Sequence, residues 1–110
     1  MDTVVSPPAV TIARLQGDLD VASAPALRER LLSMLSPGLR LLIIDLTEVS
    51  FSDVAGLAVL IGTQRRARAR GITIRLAAPS PPVAKLLRAT GLDSSLTICP
   101  TLSAALEYSE

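Results

Sequence analysis

The chain has 110 residues, of which 49% are hydrophobic, 19% charged and 2% aromatic, and its 11 basic and 10 acidic side chains give a net charge of +1. This length suits one domain with a single core, and the apolar fraction is too high for a disordered chain. The balanced charge argues against a nucleic-acid partner, because dedicated nucleic-acid binders carry a strongly basic face.

Two residue types that many active sites need are scarce, since the chain has no histidine and a single cysteine, Cys99. Catalysis by Ser-His-Asp or Cys-His groups is therefore excluded within this chain, as are an internal disulfide and the usual zinc sites. No P-loop or glycine-rich dinucleotide motif is present. We expect a protein that is not an enzyme and binds no cofactor or metal, in which Cys99 packs as a small hydrophobic residue.

The start of the chain shows no targeting feature. It begins Met-Asp-Thr, with no basic segment before an apolar run, which is unlike a signal peptide. No apolar run approaches the ~20 residues that a membrane helix needs. We therefore expect a cytoplasmic protein that does not insert into a membrane.

The first third of the chain predicts two strands and a helix. Residues 1–5 are a candidate short strand. Residues 10–15 carry apolar side chains on both faces, as a strand well inside a sheet does, and Gly17-Asp18 ends this strand. Ser23 is the predicted N-cap of the first helix, which Pro37-Gly38 stops.

The rest of the chain alternates between strands and helices. The apolar run at residues 41–46 predicts a strand buried on both faces, and a short loop at 49–53 leads into a helix at 54–70. The later elements are a strand at 73–77, a helix that opens at Pro81 or Pro82 and stops at Gly91, a strand at 96–99 and a last helix capped by Thr101 or Ser103. Because such alternation produces parallel pairs through right-handed crossovers, we predict one mixed sheet with an antiparallel edge near the N-terminus.

The helix at residues 54–70 has two apolar sides. The side expected to face the core is formed by Val54, Leu57, Leu60, Ile61 and Ala67. On the other side we predict a shallow apolar strip at the surface, which can accept another protein or a second copy of this chain. The alternative interpretation is that Val59 in this strip belongs to the core edge. This strip is formed by Ala55, Val59, Gly62 and Arg66.

Four arginines, Arg65, Arg66, Arg68 and Arg70, crowd the end of the same helix. Cations suit a helix C-terminus, and long arginine stems cover apolar surface, so a solvated helix end explains them. The alternative interpretation is a surface for an acidic partner or an anionic lipid.

Residues 45–57 are the segment with the most informative chemistry. A helix start presents free N–H groups and the positive end of the helix dipole, so it favours an anion or a hydrogen-bonding partner. Asp53 or Ser52 can cap this helix, Gly56 lets another backbone come close, and Asp45 either caps a loop or joins the same surface. Ordinary capping with close helix–sheet packing explains these residues equally well.

Three segments together carry a family resemblance. They are Gly17-Asp18-Leu19-Asp20 followed by Ser23-Ala24-Pro25-Ala26-Leu27, then Leu42-Ile43-Ile44-Asp45-Leu46, and then Phe51-Ser52-Asp53-Val54-Ala55-Gly56-Leu57. They resemble, in order, the G-E-L-D run, the central strand and the F-x-D-S-S-G-L or F-x-D-S-A-G-L signature of the STAS domain family. The resemblance implies a single STAS-like α/β domain over residues 1–110, with a mixed, mostly parallel sheet and about four helices packed mainly on one face.

The resemblance also implies a protein-binding regulatory function. Family antagonists bind an anti-sigma factor that is also a serine kinase and so free a sigma factor, until phosphorylation of the signature blocks rebinding. The implied partner-binding residues are Asp18, Asp20, Ser23, Asp53, Val54, Ala55, Gly56, Leu57 and Val59. We expect Gly56→Arg to abolish partner binding without unfolding the chain.

The signature departs from the family pattern at the phosphoacceptor. The family's usual acceptor precedes the glycine and is Ala55 here, and the variant position is Val54, so neither side chain has a hydroxyl. Ser52 is a second candidate acceptor nearby. We therefore expect a domain that is not switched by phosphorylation at the family position. It is either an antagonist of this kind or a STAS subunit of another assembly, such as a lipid-transport ABC system or a signalling complex.

Overall fold

Strands and helices alternate within residues 9–107, the part of the chain that the computed structural model describes. The elements are β1 (Val10–Leu19), α1 (Ala24–Ser33), β2 (Leu41–Ser52), α2 (Val54–Ala69), β3 (Thr73–Ala77), α3 (Pro81–Ala89), β4 (Thr97–Cys99) and α4 (Leu102–Glu107), with a 3₁₀ turn at Leu92–Ser94 before β4. The predicted strand at residues 1–5 lies outside the described residues.

The described strands form one sheet in the order β1-β2-β3-β4, and each neighbouring pair is parallel. Each connection therefore moves one strand along the sheet in the same direction. Right-handed crossovers of this kind place α1, α2 and α3 on one face, and α4, which follows the last strand, packs on the other. The predicted α/β fold with a mostly parallel sheet and helices mainly on one face is confirmed, and the antiparallel edge predicted near the N-terminus falls outside the described residues.

The core lies on both faces of the sheet because β2 is apolar on both. Leu42 and Ile44 point into the large cluster beneath α1, α2 and α3, whereas Ile43 points into a small cluster beneath α4. All three side chains are fully buried, as expected for the predicted strand. Cys99 belongs to the small cluster and is 2% exposed, so it packs as a small hydrophobic residue.

Both long strands continue further than the sequence pattern predicts. β1 passes through Gly17 to Leu19, and β2 continues through residues 49–52 of the predicted loop, so the predicted strand end and the predicted loop are wrong. Two register shifts interrupt their pairing, and Gly17 itself has φ +78°. Such bulges break the alternation of apolar side chains, which is why a paired strand resembles a loop in the sequence.

The later elements follow their sequence signals closely. α2 and β3 lie where predicted, and α3 opens at Pro81 and is followed by Gly91 with φ +74°. Thr101 accepts a hydrogen bond from the Ala104 amide at 3.0 Å through its hydroxyl and so caps α4. Proline at a helix start and glycine after its end are therefore reliable boundaries in this chain.

Candidate functional site

Asp53 joins three elements at the carboxyl end of the sheet. Its backbone is extended, and its side chain accepts a hydrogen bond from the Gly56 amide at 3.0 Å, so Asp53 is the N-cap of α2. Its own amide donates to the Leu19 carbonyl oxygen at 3.0 Å, which ties the start of α2 to the end of β1. Of the two predicted caps, Asp53 and Ser52, the structure has Asp53.

Gly56 lies where α2 comes closest to β1. A Cβ atom at this position would lie 2.5 Å from the Leu19 carbonyl oxygen and 2.7 Å from the Ser52 hydroxyl oxygen, distances at which atoms overlap. The backbone that approaches Gly56 therefore belongs to the chain itself. The interpretation as close helix–sheet packing is confirmed. The expectation that Gly56→Arg leaves the chain folded is wrong, because an arginine side chain has no space at this contact.

Two other predicted partner-binding residues, Leu57 and Val59, lie inside the core. Leu57 is fully buried and Val59 is 2% exposed. The side chain of Val59 therefore fills the core edge, as the alternative interpretation had it, whereas Gly62 and Arg66 of the predicted strip are exposed. The homodimer expected from that strip stays a prediction. Leu57 and Val59 support α2 from beneath and have no free surface to offer a partner.

Val54 was predicted to be buried but is exposed, the reverse of Val59. It was expected to face the core, yet its side chain is 66% exposed at the start of α2, while the neighbouring Ala55 is half-buried. Val54 is the first residue of α2, at the end of the sheet, and no element of the described chain covers its side chain there. Helical spacing alone assigns Val54 to the buried stripe and misses this edge.

Ser52, the second candidate phosphoacceptor, is buried at the end of β2. Its side chain is 5% exposed, and its hydroxyl donates to the Asp53 carbonyl oxygen at 3.0 Å. The same hydroxyl oxygen is one of the atoms that a Cβ at Gly56 would meet. The Ser52 hydroxyl therefore points into the contact between α2 and β1, away from the surface that a kinase would reach.

Asp20 and Ser23 cap each other in the turn between β1 and α1. The Ser23 amide donates to the Asp20 carboxylate at 2.9 Å, and the Asp20 amide donates to the Ser23 hydroxyl oxygen at 3.0 Å. The Ser23 hydroxyl also donates to the Asp18 carbonyl oxygen at 3.0 Å. Ser23 is the N-cap residue of α1 as predicted, but its side chain bonds back to this turn and not to the α1 amides.

Three large apolar side chains are exposed around this end of the sheet. Val21 is 72% exposed in the turn after β1, Phe51 is 50% exposed near the end of β2, and Val54 opens α2. Phe51 pairs with Asp18 in the sheet register, which brings an exposed carboxylate to the same edge. Because Leu19 and Ser52 pack against Gly56, their neighbours Asp18 and Phe51 point to the face of the sheet opposite α2. We call Val21, Phe51, Val54 and Asp18, which lie around one end of the sheet on both of its faces, the end surface. Exposed apolar groups beside charged ones are typical of protein-binding surfaces.

Val21 and Phe51 are missing from the residues proposed from the sequence. Phe51 is the one phenylalanine of the chain and begins the signature segment, so its residue type is a usable signal. The predicted loop at residues 49–53 hid its position on a paired strand. Val21 has no signal in the sequence, because a single valine in a turn is as often packed as exposed.

Asp45 lies six residues before Phe51 along β2 and so away from the end surface, on the face of the sheet opposite α1, α2 and α3. Its carboxylate accepts hydrogen bonds from the amide and hydroxyl of Thr47 and forms an ion pair with the Arg14 guanidinium at 3.3 Å. Burial alone raises the pKa of Asp45, but these bonds lower it further than burial raises it, so its pKa lies below the ordinary value of 3.8. Of the two alternatives for Asp45, the structure therefore shows local capping of the Thr47 amide and hydroxyl, and not a place on the end surface.

The lowered pKa of Asp45 predicts an acid-sensitive contribution to stability. A carboxyl that is more acidic in the folded chain stabilises the fold above its unfolded pKa of about 3.8, and this contribution disappears as the pH falls through the lower folded pKa. We expect Asp45→Asn to lose less free energy of unfolding than the wild type between pH 5 and pH 2.5, measured by urea denaturation. Asp18→Asn removes an exposed carboxylate and controls for net charge. Equal losses in wild type and Asp45→Asn would contradict the prediction.

The arginines near the end of α2 divide into two groups. Arg70 follows the helix as its C-cap, and its guanidinium donates to the Leu35 carbonyl oxygen at 2.8 Å, so it ties α2 to the segment after α1. Arg65, Arg66 and Arg68 are exposed on the last turns of the helix. Positive charge at a helix C-terminus stabilises the helix, which accounts for part of this cluster.

Metal-ligating residues do not gather anywhere in the described part of the chain, where no three of His, Cys, Asp and Glu come close enough to hold an ion. Between residues 9 and 107 we also find no helix with the length and hydropathy that crossing a bilayer requires. The features that remain at the carboxyl end of the sheet are hydrogen-bonded turns and the end surface. These can bind another protein, and they supply no group poised for catalysis.

Comparison with known proteins identifies relatives of this chain. The family model described as STAS domain matches residues 2–105. The anti-sigma-B factor antagonist of Bacillus subtilis is 36% identical over 84 residues, which cover 76% of this chain and 76% of that protein.

Solved structures give the same architecture. An anti-sigma factor antagonist from Mycobacterium paratuberculosis superposes with a TM-score of 0.77 at 28% identity, covering 94% of this chain and 88% of the other. A sulfate transporter family protein from Wolinella succinogenes superposes with a TM-score of 0.80 at 22% identity, covering 96% of this chain and 88% of the other. The second likeness concerns the fold alone.

Proposed function

This chain belongs to the STAS domain family, and we propose that it is a non-enzymatic regulator that binds an anti-sigma factor of the serine kinase type and so frees a sigma factor in the cytoplasm. The observation that carries the proposal is its similarity, over most of both chains, to an anti-sigma-B factor antagonist. The end surface supports it, because two of its exposed apolar side chains, Phe51 and Val54, belong to the signature segment on which the family resemblance rests.

In the proposed complex, the end surface makes the contact and the residues beneath it hold its shape. Val54 presents apolar area to the anti-sigma factor at the start of α2, and Phe51 and Asp18 extend the contact around the end of the sheet. Asp53 fixes the start of α2, and Gly56 allows that start to lie directly against β1. Rigid support of this kind reduces the conformational entropy lost on binding.

We also infer that ATP does not dissociate this complex. Phosphoryl transfer needs a hydroxyl, and neither Val54 nor Ala55 has one. The hydroxyl of Ser52 is buried and already donates to the Asp53 carbonyl oxygen. A phosphate would add about −1.5 to −2 charges to an apolar contact, and without an acceptor that repulsion does not arise.

The proposal is tested by capturing partners of the tagged protein from its source cell, purifying each anti-sigma factor recovered, and measuring binding and sigma-factor release with isolated components. We expect a 1:1 complex that releases the sigma factor and is equally stable with and without Mg-ATP. Recovery of a transporter ATPase or membrane subunits, with no binding to any purified anti-sigma factor, would reject the antagonist function in favour of the transport assembly.

Restoring a hydroxyl should restore the switch. In Ala55→Ser, the half-buried residue at the family's acceptor position gains an Oγ, and we expect the anti-sigma kinase to phosphorylate it and the complex then to dissociate in Mg-ATP. Mass spectrometry locates the phosphate, and titration of the complex with Mg-ATP measures its dissociation. The wild type is the matched control. A wild-type chain phosphorylated to the same extent would show that the acceptor lies elsewhere.

A further inference from the structure

A groove continues from the end surface along α2. It lies between α2 and the segment that joins α3 to β4, and it has a volume of about 400 Å³. On the α2 side it is lined by Val54, Ala58, Ile61, Gly62 and Arg65, with the buried Leu57 beneath them, and on the opposite side by Thr90 and Leu92. The lining is mainly apolar, and within the described residues no element covers it.

The shape of the groove suits a helix. Its α2 residues follow helical spacing from Val54 to Arg65, so the groove runs along the helix axis for about 17 Å, or three turns. Ala58 and Gly62 lie one turn apart and are exposed, and a Cβ built on Gly62 meets no atom within 4 Å. Small residues at the middle of a helix face leave room for the side chains of a second helix packed alongside.

The charge at the far end of the groove is positive. Arg65 lines the groove, and Arg68 is exposed one turn further along, beside Leu92 and Ser94. Among the described residues neither arginine forms an ion pair or a hydrogen bond to a side chain, and no acidic residue lines the groove. A guanidinium at the rim of an apolar groove is complementary to a carboxylate on whatever fills it.

From these observations we propose that the groove binds an amphipathic helix of the anti-sigma factor, with apolar side chains between α2 and Leu92 and a carboxylate on Arg65. The inference rests on the proposed function, because the occupant belongs to the same partner. It extends the contact beyond the end surface, and it defines the partner segment by chemistry: about three helical turns with an apolar stripe and an acidic residue near one end.

The test compares Arg65→Glu with Arg66→Glu. Both variants reverse one exposed charge on the same helix, but Arg66 does not line the groove. We expect Arg65→Glu to weaken binding to the purified anti-sigma factor about tenfold, the effect of one charge-assisted contact, and Arg66→Glu to leave it within about twofold. An acidic-to-lysine substitution in the partner helix should restore binding to Arg65→Glu alone. Equal affinities for both variants would overturn the groove proposal while leaving the proposed function intact.

A second measurement keeps the groove testable if no anti-sigma factor binds. Two synthetic peptides of about 14 residues share one leucine stripe, and one carries glutamates beside it where the other carries lysines. We expect the glutamate peptide to shift the amide NMR signals of Ala58, Gly62 and Arg65 at lower concentration than the lysine peptide. Equal shifts, or shifts absent with both peptides, would overturn the proposal. Shifts of the same amides on concentrating the protein alone would show that a second copy fills the groove, and would overturn it too.

Discussion

Gly56→Ala is expected to lower the free energy of unfolding by about 3 kcal/mol, at the upper end of what overpacking in a well-packed site costs. The added methyl would lie 2.5 Å from the Leu19 carbonyl oxygen and 2.7 Å from the Leu19 Cβ. Relief requires α2 to move away from β1, which weakens the hydrogen bond from the Asp53 amide to the same carbonyl oxygen. For a domain of this size we expect the melting temperature to fall by roughly 10–20 °C.

Gly62→Ala is the matched control for this prediction. Gly62 lies in the same helix, is exposed, and has open space where its Cβ would be. Alanine at an exposed helix interior is more stable than glycine by about 1 kcal/mol, so this variant should melt at a higher temperature than the wild type. Urea denaturation of both variants measures the difference. If both substitutions stabilise the chain, the close approach of α2 to β1 does not exist in solution.

Val54→Glu is expected to weaken binding to the anti-sigma factor about 100-fold, or about 2.7 kcal/mol, without a change in stability beyond about 0.5 kcal/mol. Val54 is 66% exposed, so a glutamate there meets solvent in the free protein. In the proposed complex the same carboxylate would be buried against the partner without a counter-charge, which costs the desolvation of an ion. Titration calorimetry with the purified partner measures the change in affinity, and thermal unfolding checks the fold.

Leu106→Glu controls for the Val54 substitution. Leu106 is 50% exposed on α4, which packs on the opposite face of the sheet from α2. The two variants add the same charge at an exposed apolar residue, and we expect Leu106→Glu to keep wild-type affinity. A folded Val54→Glu variant that binds as tightly as the wild type would place the interface away from the start of α2.

Gly56 and Val54 show that one short signature contains two kinds of residue. Both stand in the segment that resembles the family pattern, and the sequence assigns both to the same contact. The structure puts Gly56 against β1 and leaves Val54 in solvent. Substitutions at Gly56 therefore report on the fold, whereas substitutions at Val54 report on binding.

The sequence by itself determined the element order and most helix boundaries. Residues 41–46 are apolar without interruption, which is enough to indicate a strand buried on both faces, and proline and glycine mark both ends of α3. These signals are local, since each depends on a residue's own backbone preference or on the burial of consecutive side chains. The motif order that resembles the STAS family rests on the same kind of local pattern.

The tertiary structure alone decided which residues are accessible. Val59 is buried and Phe51 is exposed. Burial depends on which elements lie opposite a side chain, and helical or strand spacing does not contain that information. The extension of β2 to Ser52 also depends on its partner, since a bulged strand is recognised by its pairing with β1 and not by its own alternation. Asp45 pairs with Arg14, a residue 31 positions earlier that only the parallel register of β1 and β2 brings beside it.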